Sequence, residues 1–209
     1  GKHHNDLQNY MIVTNKNIPY VTSNGTQIWK NENNLLWEKT LNNFIVKDIV
    51  YEAIRNKLNF RLYSTIKSFN WNEIPENILI LKFLRLVIKC DTPYIYNFQR
   101  FHYKILRYCK KCKIEKQTEK RIDIHPINAD KKNGIERVAK LLHLDCKNVM
   151  VIGDSINDIE ALKWAGIGVA MKNSKSIVRK ASDIITRHDV TCDGAIKFLL
   201  EFFSDEFEK

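Results

Sequence analysis

The run VMVIGDSINDIEALKWAGIGVAM, residues 149–171, sets two carboxylates, Asp154 and Asp158, four positions apart just after four apolar residues and a glycine. Two acids this close repel each other unless a cation shares them. A hard, oxygen-liganded ion such as Mg²⁺ supplies that charge, binding through one or two carboxylates together with a substrate phosphate. The plainer alternative is that both acids serve only to cap and solvate a helix start. Ser155 or Asn157 can cap the helix, and Asp158 falls in its first turn, where the positive helix end favours a negative charge. That explains one acid and leaves the other over. Asp154 therefore reads as a metal ligand, with Asp158 as a second acid acting partly through water or outer hydrogen bonds.

Such a pair is useful only where an element delivers it to an open edge. From residue 131 the chain is regular. KKNGIERVAKLLHL aligns Ile135, Val138, Leu141 and Leu142 on one helical face. After it come VMVIG (strand), INDIEALKWAG (helix), IGVAM (strand), SKSIVRKA (helix), DIIT (strand) and CDGAIKFLLEFF (helix). Strands alternating with helices imply parallel βαβ units, and ligands of such sheets bind at the carboxyl ends of the strands. Asp154 stands at one of those ends. The unbroken apolar VMVI predicts a strand buried on both faces, and Gly153 a tight turn.

The earlier part is less regular. DLQNYMIVTN reads as a helix and PYVTS as a strand. KDIVYEAIRNKLNF carries Val50, Ile54 and Leu58 at helical spacing, FLRLVIK reads as a strand, and YNFQRFHYKILRYCKK as a basic amphipathic helix with core-facing aromatics.

The 209 residues suffice for one core or two small ones. The longest apolar stretch, residues 78–88, carries Lys82 and Arg85. It is far short of the roughly 20 residues of a membrane span, and no signal peptide is visible. These features predict a soluble, cytoplasmic protein with no membrane partner. The net charge of +10 admits nucleic acid as a partner, through the basic stretch at residues 100–120, but a solvated helix face is the preferred reading. Five cysteines without a secretory signal read as free thiols, CKKC at 109–112 included.

GDSINDIEAL, AGIGVAMKNS and ASDIIT, taken in order, resemble the final motif of the haloacid dehalogenase-like phosphatases of the Cof type. VTSNGTQIW resembles the segment that leads into that subfamily's cap. The resemblance implies an α/β fold: a Rossmann-like core at residues 1–25 and 125–209, with a C2-type α+β cap inserted at 26–124. It further implies Mg²⁺-dependent hydrolysis of small phosphorylated metabolites, sugar phosphates or nucleotides, through an aspartyl-phosphate. On the family pattern Asp154, Asp158 and Asn157 hold the metal, and Asn157, Asn173 and Asn24 border the phosphate or substrate. A lysine at the start of the preceding helix completes the set. Lys131 and Lys132 compete for that role, and counting back four and seven from Ile135 and Val138 favours Lys131.

The family's nucleophile motif, DxDxT, is absent: Asp6, Asp48 and Asp91 stand alone, and Asp123 lacks its partner. GKHH at the start resembles the stretch just after the family's second motif. The expectation is a chain lacking the nucleophile strand and inactive by itself. A different class of function remains open, an inactive fold that binds an anionic partner.

Overall fold

The computed structural model describes residues 18–204. The helix expected in DLQNYMIVTN, the GKHH opening and Asp6 lie outside the described residues. The chain divides into two compact units, Gly1–Asp130 and Lys131–Lys209.

The first unit opens with an antiparallel meander, β1 (Tyr20–Thr22), β2 (Gln27–Asn31) and β3 (Asn34–Glu38). Helix α1 (Asn43–Arg55) follows, its first turn capped by Asn42, whose Oδ1 accepts the N–H groups of Phe44 and Ile45. Strands β4 (Asn59–Ser64), β5 (Phe83–Lys89), β6 (Cys112–Thr118) and β7 (Arg121–Pro126) form an antiparallel sheet in the order β4-β5-β7-β6, with α2 (Ile95–Ile105) between β5 and β6.

Side chains alternate across a strand, and the two faces of this sheet differ sharply. Phe60, Leu62, Leu86, Ile88, Ile122 and Ile124 share one core with Ile45, Val46, Ile49 and Val50 of α1 and with Phe98, Phe101 and Ile105 of α2. Burying each such side chain stabilises the unit by about 1.5–3 kcal/mol. The intervening strand residues, among them Arg61, Tyr63, Arg85, Lys113, Glu115, Asp123 and His125, are polar. The expected core stripe of α1 is displaced. Its inward face runs through Ile45, Ile49 and Ala53, Ile54 turns outward, and Leu58 is buried beyond the helix. In α2 the aromatics divide: Phe98 and Phe101 are buried, whereas Tyr96 and Tyr103 are exposed. All five thiols are free, and burial pushes Cys112 up to about 11.

In the second unit α3 (Lys131–Leu141) precedes the parallel sheet β10-β9-β8, built from β8 (Met150–Gly153), β9 (Ile167–Ala170) and β10 (Ile184–Ile185). Helices α4 (Ile159–Trp164) and α5 (Ser176–Arg179) supply the crossovers, and α6 (Gly194–Phe202) follows the sheet. Val151, Ala161, Leu162, Ala170 and Val178 make the core, with Ile135 of α3 packed against it. Two expectations shift. Leu141 and Leu142 are exposed, because α3 ends at Leu141 and the chain turns through a left-handed His143. β8 is an edge strand among the described residues: Val151 and Gly153 are buried, while Met150 and Ile152 are only half covered. Among the described residues no helix is long and apolar enough to cross a membrane.

Phe101→Ala should lower unfolding stability by about 3–5 kcal/mol in denaturant titrations, whereas Tyr103→Ala should stay within about 0.5 kcal/mol. Burial pushes His125 down to about 3, from an ordinary value of 6.5. The unfolded chain then binds more protons than the folded one between those values, so stability rises with pH across that window and falls on acidification from about 6.5 toward 3. His125→Phe should flatten this part of the stability–pH curve.

Candidate active site

The turn that joins β8 to α4 is organised around a single side chain. Asp158 is 5% exposed. Its Oδ2 accepts the backbone N–H groups of Asp154 (3.2 Å) and Ser155 (3.0 Å), and its Oδ1 meets Lys131 Nζ at 2.5 Å. These bonds pin the turn from within and tie the first residue of α3 to it. Three donors on a buried carboxylate satisfy the charge, which unpaired would be strongly destabilising. Gly153 is required here by proximity rather than by a left-handed backbone. A Cβ built on it would lie 2.6 Å from Asp158 Cβ and 2.8 Å from its Cγ.

With Asp158 turned inward, Asp154 is exposed at the carboxyl end of β8. Ser155 Oγ donates to Asp154 Oδ1 at 3.0 Å, orienting that carboxylate. A cavity of about 340 Å³ opens beside it, lined by Ile152, Gly153, Asp154, Met171, Val190 and the first turn of α6, Asp193–Ile196. That volume is at the lower end of the range of small-molecule sites. Both oxygens of Asp158 are engaged, while Asn157 Oδ1 is buried with no hydrogen-bond partner among the described residues.

The geometry separates the two lysines. Lys131 points to the acidic turn; Lys132 pairs with Glu136 at 2.5 Å and lies 5.9 Å from the Trp164 ring centroid. Hydrogen bonds from Lys132 and then Lys140 hold the Glu136 carboxyl down to about 2. Asn173 is exposed, and its Oδ1 accepts the N–H of Val190 at 3.3 Å, linking the loop after β9 to a residue of the cavity wall. Asn24 belongs to the first unit, where it is buried in the turn Ser23–Gly25 with a left-handed backbone (φ 59°).

Two residues given no role by the sequence reading, Arg179 outside the motifs and Thr186 at the end of ASDIIT, hold the loop after β9. Arg179 donates to the carbonyls of Ser174 (2.5 Å) and Lys172 (3.2 Å). Thr186 Oγ1 accepts from Lys172 N–H and donates to the His188 carbonyl. Their roles were not legible, because each acts on backbone groups of the loop that the sequence does not place beside it.

A parallel sheet whose strand ends in an acidic turn, with a lysine delivered from the preceding helix and a cavity at the carboxyl edge, defines an α/β enzyme site. The chain belongs to the haloacid dehalogenase-like hydrolases, whose family model matches residues 67–199. It is 31% identical over 178 residues to the 5-amino-6-(5-phospho-D-ribitylamino)uracil phosphatase YcsE of Bacillus subtilis, an alignment covering 85% of this chain and 69% of that protein. Among solved structures, the phosphatase BT1666 of Bacteroides thetaiotaomicron superposes with a TM-score of 0.77 at 18% identity, covering 97% of this chain and 79% of that one. A haloacid dehalogenase-like hydrolase from the same organism gives a TM-score of 0.72 at 21% identity, with 86% and 74% covered. These likenesses carry the α/β fold.

Gly153→Ala should destabilise the protein by about 1–3 kcal/mol in thermal or denaturant unfolding, because the added methyl must displace Asp158. Combining it with Asp158→Ala should be less damaging than the sum of the single changes, a non-additivity that a double-mutant cycle measures.

Proposed function

We propose that the chain is a phosphoric monoester hydrolase acting on small phosphorylated metabolites, with Asp154 and Lys131 in its catalytic machinery. The observation that carries this reading is the Lys131–Asp158 pair. It holds a cation from α3 at the acidic turn, where charge on a transferring phosphoryl group needs an electrostatic partner. The similarity to a phosphatase of a phosphorylated ribitylaminouracil supports a metabolite, rather than a polymer, as substrate.

The donor chemistry fits a hard divalent cation. Asp154 offers an exposed carboxylate and Asn157 a buried amide oxygen with no hydrogen-bond partner among the described residues, an all-oxygen set that suits Mg²⁺. Among the described residues no three His, Cys, Asp or Glu side chains gather to hold a metal, and a substrate phosphate can offer further oxygens to such an ion. When bound, the ion would supply Lewis-acid charge at the phosphoryl oxygens. Asp158 then positions Lys131 and shapes the turn, and Asn173 steadies the cavity wall. Asn24 is assigned to the substrate side by the family pattern.

The aspartyl-phosphate route needs a carboxylate that attacks phosphorus, a proton for the departing ester oxygen, and water to cleave the acyl phosphate. No Asp-x-Asp pair occurs in the sequence.

The test is phosphate release from a panel of sugar phosphates, nucleotides and phosphorylated polyols, using protein from the full reading frame. Asp154→Ala should lower kcat/KM by at least about 100-fold, and Lys131→Met by a similar factor. Lys132→Met should stay within a few-fold. Turnover that persists in Asp154→Ala rules out the proposed metal role.

A further inference from the structure

The helical layer of the first unit carries a charge pattern that neither the acidic turn nor the family motifs use. From Thr92 to Ile114 the chain holds six basic residues, Arg100, Lys104, Arg107, Lys110, Lys111 and Lys113, and no acid. That run forms α2, the 3₁₀ turn Leu106–Tyr108 and the entry to β6. Two of its cations are already matched. Lys104 meets Glu52 of α1 at 2.6 Å, and Lys113 bridges Glu115 and Asp130. Tyr108 donates to Asp48 at 2.8 Å and Asn97 to the Asn56 carbonyl at 3.1 Å, so α1 covers the side of this helix that runs through Asn97, Lys104 and Tyr108.

The side turned away from the core is different. Phe98, Phe101 and Ile105 are buried. Tyr96, Arg100, Tyr103 and Arg107, spaced four, three and four residues apart, fall on the opposite side of the helix. All four are exposed, Tyr96 by 74% and Tyr103 by 82%. Arg100, Lys110 and Lys111 have no ion pair among the described residues. Arg107 lies 4.8 Å from the Tyr108 ring centroid and donates to that hydroxyl at 2.9 Å, which holds its guanidinium in place. A single exposed ring needs no explanation. Two rings alternating with arginines along one stripe, in a run without acids, are more than a solvated basic face needs.

We propose that this stripe binds single-stranded nucleic acid, with the Tyr96 and Tyr103 rings stacked on unpaired bases and Arg100, Lys110 and Lys111 paired with backbone phosphates. The two rings are seven residues apart on one helix, about 10 Å along its axis, so they meet different nucleotides of one strand. Ring faces and phosphate charge are common to every base sequence, and the binding is correspondingly sequence-tolerant. A lipid surface fits less well. A helix that lies on a bilayer buries a broad apolar face, whereas this stripe presents phenol hydroxyls and guanidinium groups. The surface belongs to the first unit and stands whether or not the chain hydrolyses phosphate.

Fluorescence anisotropy on the whole chain tests it, with labelled oligouridylate and oligothymidylate as probes and vesicles of mixed anionic and neutral phospholipid as the competing surface. At least one oligonucleotide should bind saturably, and log Kd should rise with log salt at a slope of about 2 for three phosphate contacts. The tighter of the two shows whether the 2′-hydroxyl is read. Tyr96→Ala and Tyr103→Ala should each weaken binding about 5–100-fold, while Tyr103→Phe, which keeps the ring, should stay within about twofold. Arg100→Ala should weaken binding and lower the salt slope by about 0.7. Lys30→Ala, which removes an equal charge from the exposed side of β2, should leave affinity within about twofold. The proposal is overturned if neither oligonucleotide binds, if binding survives at wild-type strength when Tyr96→Ala and Tyr103→Ala are combined, if Lys30→Ala costs as much as Arg100→Ala, or if the chain binds the vesicles and not the oligonucleotides.

Discussion

The local order of the second unit converges on one carboxylate. Asp158 is taken out of water and receives three donors in return, two from the backbone of its own turn and one from the first residue of α3. A buried charge tolerates no loss of partner: removing one member of such a pair typically destabilises by about 3–5 kcal/mol. Everything nearby is arranged to keep those donors in place. Gly153 yields the space, β8 stops where the turn must begin, and α3 starts at the residue that reaches across. The exposed Asp154 is a consequence of this order. With one acid turned inward to hold the turn, the other is left at the strand end beside a cavity.

This division of labour resolves the question of two acids four residues apart. Capping and metal binding are not alternatives for the pair, since each acid can take one of the roles. Asp158 does what a helix-start carboxylate does, accepting backbone amides, and adds a lysine that a simple cap does not need. Asp154 makes no use of the helix start, and its one side-chain hydrogen bond comes from Ser155. The cation at Lys131 and the open carboxylate at Asp154 are therefore set by one constraint, and a change at Asp158 reaches both.

Much of this could be read from the sequence because the determinants are local. The alternation from residue 131 onward gave the parallel sheet, and GDSIND marked the turn after its strand. What lay beyond reach depends on directions in space. Lys131 and Lys132 are neighbours in one helix, and only the path of that helix past the turn shows which of them meets Asp158 and which meets Glu136. VMVI read as a strand buried on both faces, since apolar composition does not reveal that β8 is an edge strand among the described residues. Ile54 looked like core until the capped start of α1 fixed the phase of its stripe.

The polar row of the first unit is the extreme case. Tyr63, Arg85, Lys113 and His125 span more than sixty residues of chain and share no motif, and only the strand register aligns them. Alternation predicts that one face of an antiparallel sheet will be polar, and solvent is the ordinary reason. Solvent does not account for this face. Asp123 and His125 are each 3% exposed, so their polarity is retained where water does not reach them freely. Asp123 has answered that burial with a two-armed arginine, whereas among the described residues His125 Nδ1 has no hydrogen-bond partner. Carbon in place of such an atom would cost the fold little, since a buried polar atom without a partner lowers stability by about 1–3 kcal/mol.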